Sequence, residues 1–292
     1  MKSRTVIFLL FLALLLIFCA HDDKSVIRVM TFNVQVDVTT DGENAWTNRK
    51  DMVASTIRFH HADLIGIQEA LIHQVKDLAE LLPMYNWVGV GRDDGKDAGE
   101  FTAIFYLKSR FEYEKGNTFW LSESPDHPGL GWDAACNRTL TWALFKDRIK
   151  NKEFYHFNTH LDHMGVIARQ ESVKLLLSSI QKIAGSEATI VTGDFNSEPD
   201  SEVYQAMIQG TGGHPKVELQ DTEHASLFAH HGPHTTFNGF DLNKLKENPR
   251  LIDYIFITPH FDVINHGTLA DNQDGRFPSD HFPVLAEMVW GS

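Results

Sequence analysis

The sequence predicts one large α/β domain, and two patterns carry that prediction. Runs of strand length alternate with stretches of helical periodicity from residue 26 to the end, and no Pro/Ser/Gly-rich tract, long charge block or solenoid repeat interrupts them. Hydrophobic residues make up 42% and charged residues 22% of 292, the balance of a globular chain long enough to bury a substantial core without disulfides.

Residues 26–34 are a β-branched run and read as a strand. Residues 46–59 carry Met52, Val53 and Ile57 at helical spacing, and 63–68 form a short apolar strand. A helix over 71–82 ends at Pro83. Segments 101–107, 139–145 and 153–158 read as strands. The clearest helix is 166–183, with Val166, Val173, Leu176, Leu177, Ile180 and Ile183 predicted on one face. Strands over 188–192, 251–257 and 283–290 complete the alternation, and Gly232 and Pro233 mark 230–234 as a loop.

Residues 1–20 stand apart from the domain expected over 26–292. Lys2 and Arg4 precede an apolar run from residue 6 to 18, and polar His21-Asp22-Asp23-Lys24 follows, the layout of an export signal. The run is short for a membrane-spanning helix, although a retained anchor competes with this reading. Cys19 stands where a lipoprotein carries its lipidated cysteine, and cleavage after Ala20 is the alternative; bulky Phe18 suits neither well. The expected location is therefore periplasmic, lipid-anchored or secreted. Loss of Lys2 and Arg4 takes the net charge from −13 to −15. So acidic a surface disfavours duplex DNA, which is bound mainly by cationic neutralisation. Cys136 would be the one remaining cysteine besides Cys19, so no internal disulfide forms. A monomer is expected, with membrane contact only through the N-terminal anchor.

Polar residues gather at the predicted strand ends. Asn33 closes the first strand, Glu69 follows the second, His160 and Asp162 follow 153–158, and Asp194 and Asn196 follow 188–192. Asp253 opens a strand, and Asp280 and His281 precede the last one. Any one of these could be a turn or capping residue; their number points to a site. Carboxylate and amide oxygens select Mg²⁺, Mn²⁺ or Ca²⁺ over zinc, and a His–Asp pair is a general-base arrangement. Metal plus base suggests hydrolysis of a phosphoester.

The ordered set Thr31-Phe32-Asn33, Ile67-Gln68-Glu69, Asn158-Thr159-His160-Leu161, Gly193-Asp194-Phe195-Asn196, Ile252-Asp253-Tyr254 and Ser279-Asp280-His281-Phe282-Pro283-Val284 resembles the endonuclease/exonuclease/phosphatase superfamily over residues 27–290. The resemblance implies a four-layer α/β/β/α sandwich of two mixed sheets flanked by helices, with the site at one rim. It implies that Asn33 and Glu69 hold Mg²⁺, for which Mn²⁺ substitutes, with Asp280 nearby. Asp194 and Asn196 would orient the attacking water or a second ion, and His281, oriented by Asp253, would activate it. His160 would donate to the phosphate. Glu100 falls where some members place the carboxylate that orients this second histidine, and Arg138 where some place a phosphate-binding arginine.

Trp120, Trp132 and Trp142 are candidates for stacking on a base or sugar, and the turn-rich Gly91-Arg92-Asp93-Asp94-Gly95 loop could touch substrate. His163, His230, His231 and His234 could attract metal. A catalytically silent binding module on the same fold competes with the hydrolase reading, but the intact motif set speaks against it. A phospholipid headgroup is the alternative substrate class, although no exposed aromatic hairpin for membrane insertion is evident.

Overall fold

The computed structural model describes residues 25–210 and 217–291. The expected export signal therefore lies outside the described residues. In chain order the elements are β1 (Ile27–Asn33), α1 (Trp46–Phe59), β2 (Leu64–Gln68), α2 (Ile72–Leu81), β3 (Tyr85–Val88), β4 (Ile104–Leu107), β5 (Phe111–Trp120) and β6 (Thr139–Asp147). They continue with β7 (Lys152–His160), α3 (Val166–Ile183), β8 (Thr189–Asp194), α4 (Glu202–Gln209), β9 (Gln220–Asp221), α5 (Thr222–Ala225), α6 (Leu242–Glu247), β10 (Asp253–Ile257), β11 (Phe261–Thr268) and β12 (Val284–Trp290).

Among the described residues twelve strands form two six-stranded sheets, in the orders β11-β12-β1-β2-β4-β3 and β5-β6-β7-β8-β10-β9. The parallel pairs are β1/β2 and β7/β8, and all other named pairs are antiparallel. Period-two alternation assigns each strand's residues to two layers. Met30, Phe32, Ile65 and Ile67 pack outward with Trp46, Val53 and Ile57 of α1 and Val75 and Leu78 of α2. Phe157, Val191 and Phe256 of the second sheet pack outward with Val173, Leu176 and Ile180 of α3 and Met207 of α4. Ile27, Val29, Leu64, Phe145, Phe154, Ile190, Ile255 and Val284 fill the space between the sheets. The result is the expected four-layer α/β/β/α sandwich.

The inter-sheet layer changes character along its length. Reading the inward positions in order, β1 runs Val29, Thr31, Asn33; β2 runs Leu64, Gly66, Gln68; β7 runs Phe154, His156, Asn158, His160; and β8 runs Ile190, Thr192, Asp194. Each strand passes from apolar to polar toward the same rim. There a buried hydrogen-bond spine replaces apolar packing. Asn158 Nδ2 donates to the Ile67 carbonyl (2.9 Å) and the Ala103 carbonyl (3.0 Å) of the opposite sheet. Its Oδ1 accepts from Gln68 Nε2 (2.7 Å) and Thr192 Oγ1 (3.0 Å). All four bonding positions of the amide are used. Gly66 sits where the sheets approach closely, and a Cβ there would meet Thr192 Oγ1 at 2.1 Å.

Differences from the sequence-based expectation have physical reasons. Strand β4 begins at Ile104 rather than at 101, because Phe101 makes isolated bridges to Ala70 and Gly91. On α3, Val166 projects outward at 55% exposure, and the buried face runs instead from Ala168 and Ser172 through Val173 to Ile180. Trp142 is partly buried and packed against the outer core cluster, stacked on Phe157, and Trp120 is buried with Nε1 donating to the Arg92 carbonyl (2.6 Å), so the structure engages both rings in packing. Trp132 is half-buried, and its backbone N–H donates to Glu123.

Candidate active site

The rim residues are delivered by strand register. His160 pairs with Asp194 across β7/β8, and Asp194 pairs with Asp253 across β8/β10. Asn33 ends β1 opposite Gln68 on β2, which places Glu69 one residue further out. Glu69 and Asn196 both hold left-handed backbone, at φ 67° and 47°, a conformation uncommon for residues with a side chain and concentrated at functional sites. The left-handed turns end their strands and aim both side chains at the rim.

Asn33 is central to the cluster. Its Nδ2 donates to Glu69 Oε1 (2.9 Å) and Asp194 Oδ2 (3.0 Å) and lies 3.4 Å from His281 Nε2. Its Oδ1 accepts from the Gln35 backbone N–H (3.0 Å). In this arrangement Asn33 presents a nitrogen, not an oxygen, to the acids. It acts as a donor that draws two carboxylates together, and serving as a metal ligand would require its amide to turn over. Glu69 Oε2 is fixed by the Val36 N–H and Asp194 Oδ1 by the Asn196 N–H.

His281 is held by Asp253, with Nδ1–H donating to Oδ2 at 2.9 Å. Its Nε2 faces Asp194 Oδ2 at 3.8 Å. Burial alone would lower this imidazole, but Asp253, Asp194 and Asp280 outweigh burial and hold it well above its usual value. His160 behaves oppositely. Burial, reinforced by the charges of Arg138 and Arg92, holds it well below, so the ring is neutral. Its Nε2 lies 3.1 Å from Asn196 Nδ2 and 3.4 Å from Asp194 Oδ2, so it accepts from the amide or donates to the acid according to tautomer.

The acids are crowded. Burial, with Asp253 nearby, pushes Asp194 up to about 7 against the pull of His281. Burial likewise pushes Asp280 up to about 6, with Glu69 adding to it. Glu69 Oε1, Asp194 Oδ2 and His281 Nε2 converge tightly enough to share one ion, with all donor atoms within 4.8 Å of one another. Buried, mutually repelling carboxylates with too few cations of their own are what a divalent metal relieves, so the donor set fits such an ion.

Beside His160 lies a small cavity lined by Arg92, Glu100, Asn137 and Arg138. Glu100 does not hydrogen-bond His160 directly; its Oε2 accepts from Arg92 Nη1 (2.5 Å), and burial raises its carboxyl to about 7. Arg138 is buried, with Nε to Asp162 Oδ2 (3.3 Å) and Nη2 to His163 Nδ1 (2.9 Å). Arg138 Nη1 and Arg92 Nε are buried donors without a hydrogen-bond acceptor among the described residues. Two guanidinium N–H groups therefore lie beside His160 with bonding capacity that an oxyanion could use.

Several supporting residues escaped the sequence reading. Thr236 Oγ1 accepts from the Ile252 and Asp253 N–H groups, fixing the start of β10, and the Phe237 ring packs edge-on against His281 at 5.1 Å. Fully buried Arg49 donates through Nη1 to the Val34 and Pro278 carbonyls, tying α1 to both loops that frame Asp280 and Asn33. Arg49 was detectable, since it lies on the same α1 face as Trp46, Val53 and Ile57.

Comparison with known proteins agrees with the fold. The model of the Endonuclease/Exonuclease/phosphatase family matches residues 30–281. A solved endonuclease/exonuclease/phosphatase from Bacteroides vulgatus is similar at 38% identity and TM-score 0.85, covering 91% of this chain and 99% of that one. A mannosyl-6-phosphatase of Bacteroides thetaiotaomicron is similar at 37% identity and TM-score 0.83, covering 90% of this chain and all of the other. Drosophila melanogaster Nocturnin is 23% identical over 83% of this chain, which spans 42% of that protein's length. A mimivirus protein, L388, is 28% identical over 52% of this chain, which spans 60% of that protein's length.

Raised carboxyls make metal uptake pH-dependent with a definite sign. Asp194 and Asp280 hold protons in the ion-free protein below about 7 and about 6 and must release them to bind an ion. Affinity for a divalent cation should therefore rise by roughly 10- to 100-fold from pH 5.5 to 7.5, with protons released on binding. Calorimetry in two buffers of different ionisation enthalpy measures both. Affinity that is flat across this range, without proton release, contradicts the assignment of these acids to the metal.

Proposed function

The chain belongs to the endonuclease/exonuclease/phosphatase family, and we propose that within it this protein is an exported, Mg²⁺-dependent phosphatase of small phosphorylated sugars, with Mn²⁺ able to substitute. The observation that carries the hydrolytic reading is the pairing of two unused buried guanidinium donors with the Glu69–Asp194–His281 cluster across His160. One half suits the phosphoryl oxygens and the other an attacking water. The sugar phosphate reading is supported by the mannosyl-6-phosphatase, to which this chain is similar over nearly all of both sequences. It is supported also by the net charge of −13, which disfavours long nucleic acid strands.

Glu69 and Asp194, with Asp280 nearby and Asn33 if its amide turns, would hold the ion, and His281 Nε2, the third group of that cluster, would face the attacking water instead of the ion. When bound, the ion polarises a phosphoryl oxygen and offsets the carboxylate charge that otherwise keeps His281 protonated. Neutral at Nε2, His281 takes a proton from water while Nδ1–H stays on Asp253, which fixes the tautomer and supports the imidazolium that forms. The water oxygen adds to phosphorus, and the P–O bond to the sugar breaks with its electron pair going to the sugar oxygen. Arg138 Nη1, Arg92 Nε and the Asn196 amide receive the phosphoryl oxygens, and His160, kept neutral, stands where charge builds.

These roles separate by kinetics. His281→Ala and His160→Ala should each lower kcat by about 10²–10⁴-fold with little change in KM. Glu69→Gln should recover part of its activity in excess Mg²⁺, which His281→Ala should not, and Asp253→Asn should resemble a milder loss of His281. The assay is mannose 6-phosphate and other sugar phosphates set against a dinucleotide, single-stranded oligonucleotides and sphingomyelin, with and without EDTA. Activity surviving exhaustive chelation, near-native kcat in His281→Ala, or a preference for a diester would overturn the corresponding part of the proposal. For export, N-terminal sequencing of the protein from its own cell should find a start at Cys19 or shortly after Ala20; an intact Met1 would contradict it.

A further inference from the structure

A second group of metal-ligating side chains lies away from the acids just described. Glu223 on α5, His230 in the loop that follows, and His266 on β11 bring one carboxylate oxygen and two ring nitrogens within 4.8 Å of one another. His230 Nδ1 is 3.0 Å from His266 Nδ1 and 3.8 Å from Glu223 Oε1, and His234 Nδ1 is 3.3 Å from the same Glu223 oxygen. Ligands held tetrahedrally at about 2.0–2.1 Å from zinc stand roughly 3.3 Å apart, so these separations straddle the spacing of a four-coordinate site. A further detail points the same way. The outer ring nitrogen of His230, Nε2, lies 3.1 Å from the Pro233 carbonyl. With the N–H of Nε2 donated there, His230 Nδ1 accepts from the His266 Nδ1–H at 3.0 Å in the ion-free protein, and an ion would take the place of that one shared proton while Nε2 keeps the orientation common among metal-binding histidines.

We propose that Glu223, His230 and His266 form a structural zinc site, with the fourth position open to the exposed His234 or to water. Two imidazoles and one carboxylate are a borderline donor set that suits zinc and does not suit Mg²⁺, so this site and the acid-rich one take different ions.

The location gives the ion something to hold. β11 is the edge of its sheet. The segment carrying His230 lies along that edge, with Leu227 N–H donating to the Val263 carbonyl, His231 N–H to His266 and Thr268 N–H back to His231. The edge is thereby covered. The same segment continues into Thr235 and Thr236, then Phe237, which packs on His281. An ion shared by Glu223, His230 and His266 would pin this cover to β11 and so brace the wall of the active site from behind. The proposal stands independently of the substrate and the catalytic ion.

The test uses the full chain, stripped of metal and kept in millimolar Mg²⁺ so that the acid-rich site is filled. Titration with Zn²⁺ alone should show one tight equivalent per chain. Glu69→Gln should retain it, and Glu223→Gln and His230→Gln should each weaken it by at least about 10- to 100-fold. Co²⁺ in its place should give the visible absorption of a low-coordinate nitrogen–oxygen site. In the unaltered chain, which needs no variant to fold, Zn²⁺ should protect His230 from diethyl pyrocarbonate and slow proteolysis within 226–236. No tight equivalent in the presence of Mg²⁺ would overturn the proposal. So would an equivalent lost in Glu69→Gln and kept in both Glu223→Gln and His230→Gln, or unchanged modification and proteolysis with Zn²⁺ added.

Discussion

A buried amide ties the two sheets of this protein together beneath the site. Asn158 reaches from β7 into the opposite sheet and bonds the carbonyls of Ile67 and Ala103, while Gln68 and Thr192 fill its oxygen. Apolar surfaces slide over one another at little cost, because the hydrophobic effect has no direction. Hydrogen bonds of fixed geometry do not, and leaving any of these four groups unpaired costs about 1–3 kcal/mol. The site depends on that constraint. Asn33 and Glu69 belong to one sheet, and His160, Asp194 and Asp253 to the other, yet Asn33 Nδ2 must lie 3.0 Å from Asp194 Oδ2. Glycine at position 66 lets the sheets close to that distance.

From this joint the interior divides its labour along its length. The apolar end, with Val29, Leu64, Phe154 and Ile190, supplies burial. The polar end holds acids that the protein alone cannot neutralise. Asp194 and Asp280 are raised, His281 is raised against its burial by Asp253 first and then by their charge, and His160 on the other side of Asp194 is depressed by burial and by two arginines. Two imidazoles a few ångströms apart are thus driven in opposite directions, one toward carrying a proton and one toward giving it up. Such a separation divides acid and base roles within one pocket. The backbone contributes too, since left-handed Glu69 and Asn196 store strain at the two turns facing the reaction centre.

Much of this is legible in the sequence, and what is not follows a pattern. The central strands β1, β2, β7, β8 and β10 are read as strands because burial on both faces makes them apolar runs. The strands that escape are β3, β5, β9 and β11, the four sheet edges. β5 exposes Glu112, Tyr113, Glu114 and Lys115 and carries a bulge between Tyr113 and Lys115; β11 is bulged between Val263 and Asn265. Edges are charged and irregular, which resists pairing with other chains and hides their period. Among site residues, Asn33, Glu69, His160, Asp194, Asn196, Asp253, Asp280 and His281 stand out at strand ends and in recognisable motifs. Asn158 and Thr236 do not, because the worth of a buried polar residue depends on which strand lies opposite. The orientation of the Asn33 amide and the engagement of Glu100 by Arg92 are likewise invisible without coordinates.

The dependence of the site on the inter-sheet amide is most directly measured in Asn158→Leu, which keeps the volume and removes every bond. Unfolding free energy and kcat should be measured together on the folded fraction at saturating Mg²⁺. Stability should fall by at least about 2 kcal/mol, the cost of buried groups left without partners. kcat should fall more than about tenfold, because Glu69 and Asp194 lose their common frame. A variant that keeps both near-native values would show that apolar packing alone holds the sheets in register, and that the amide is not what assembles the site.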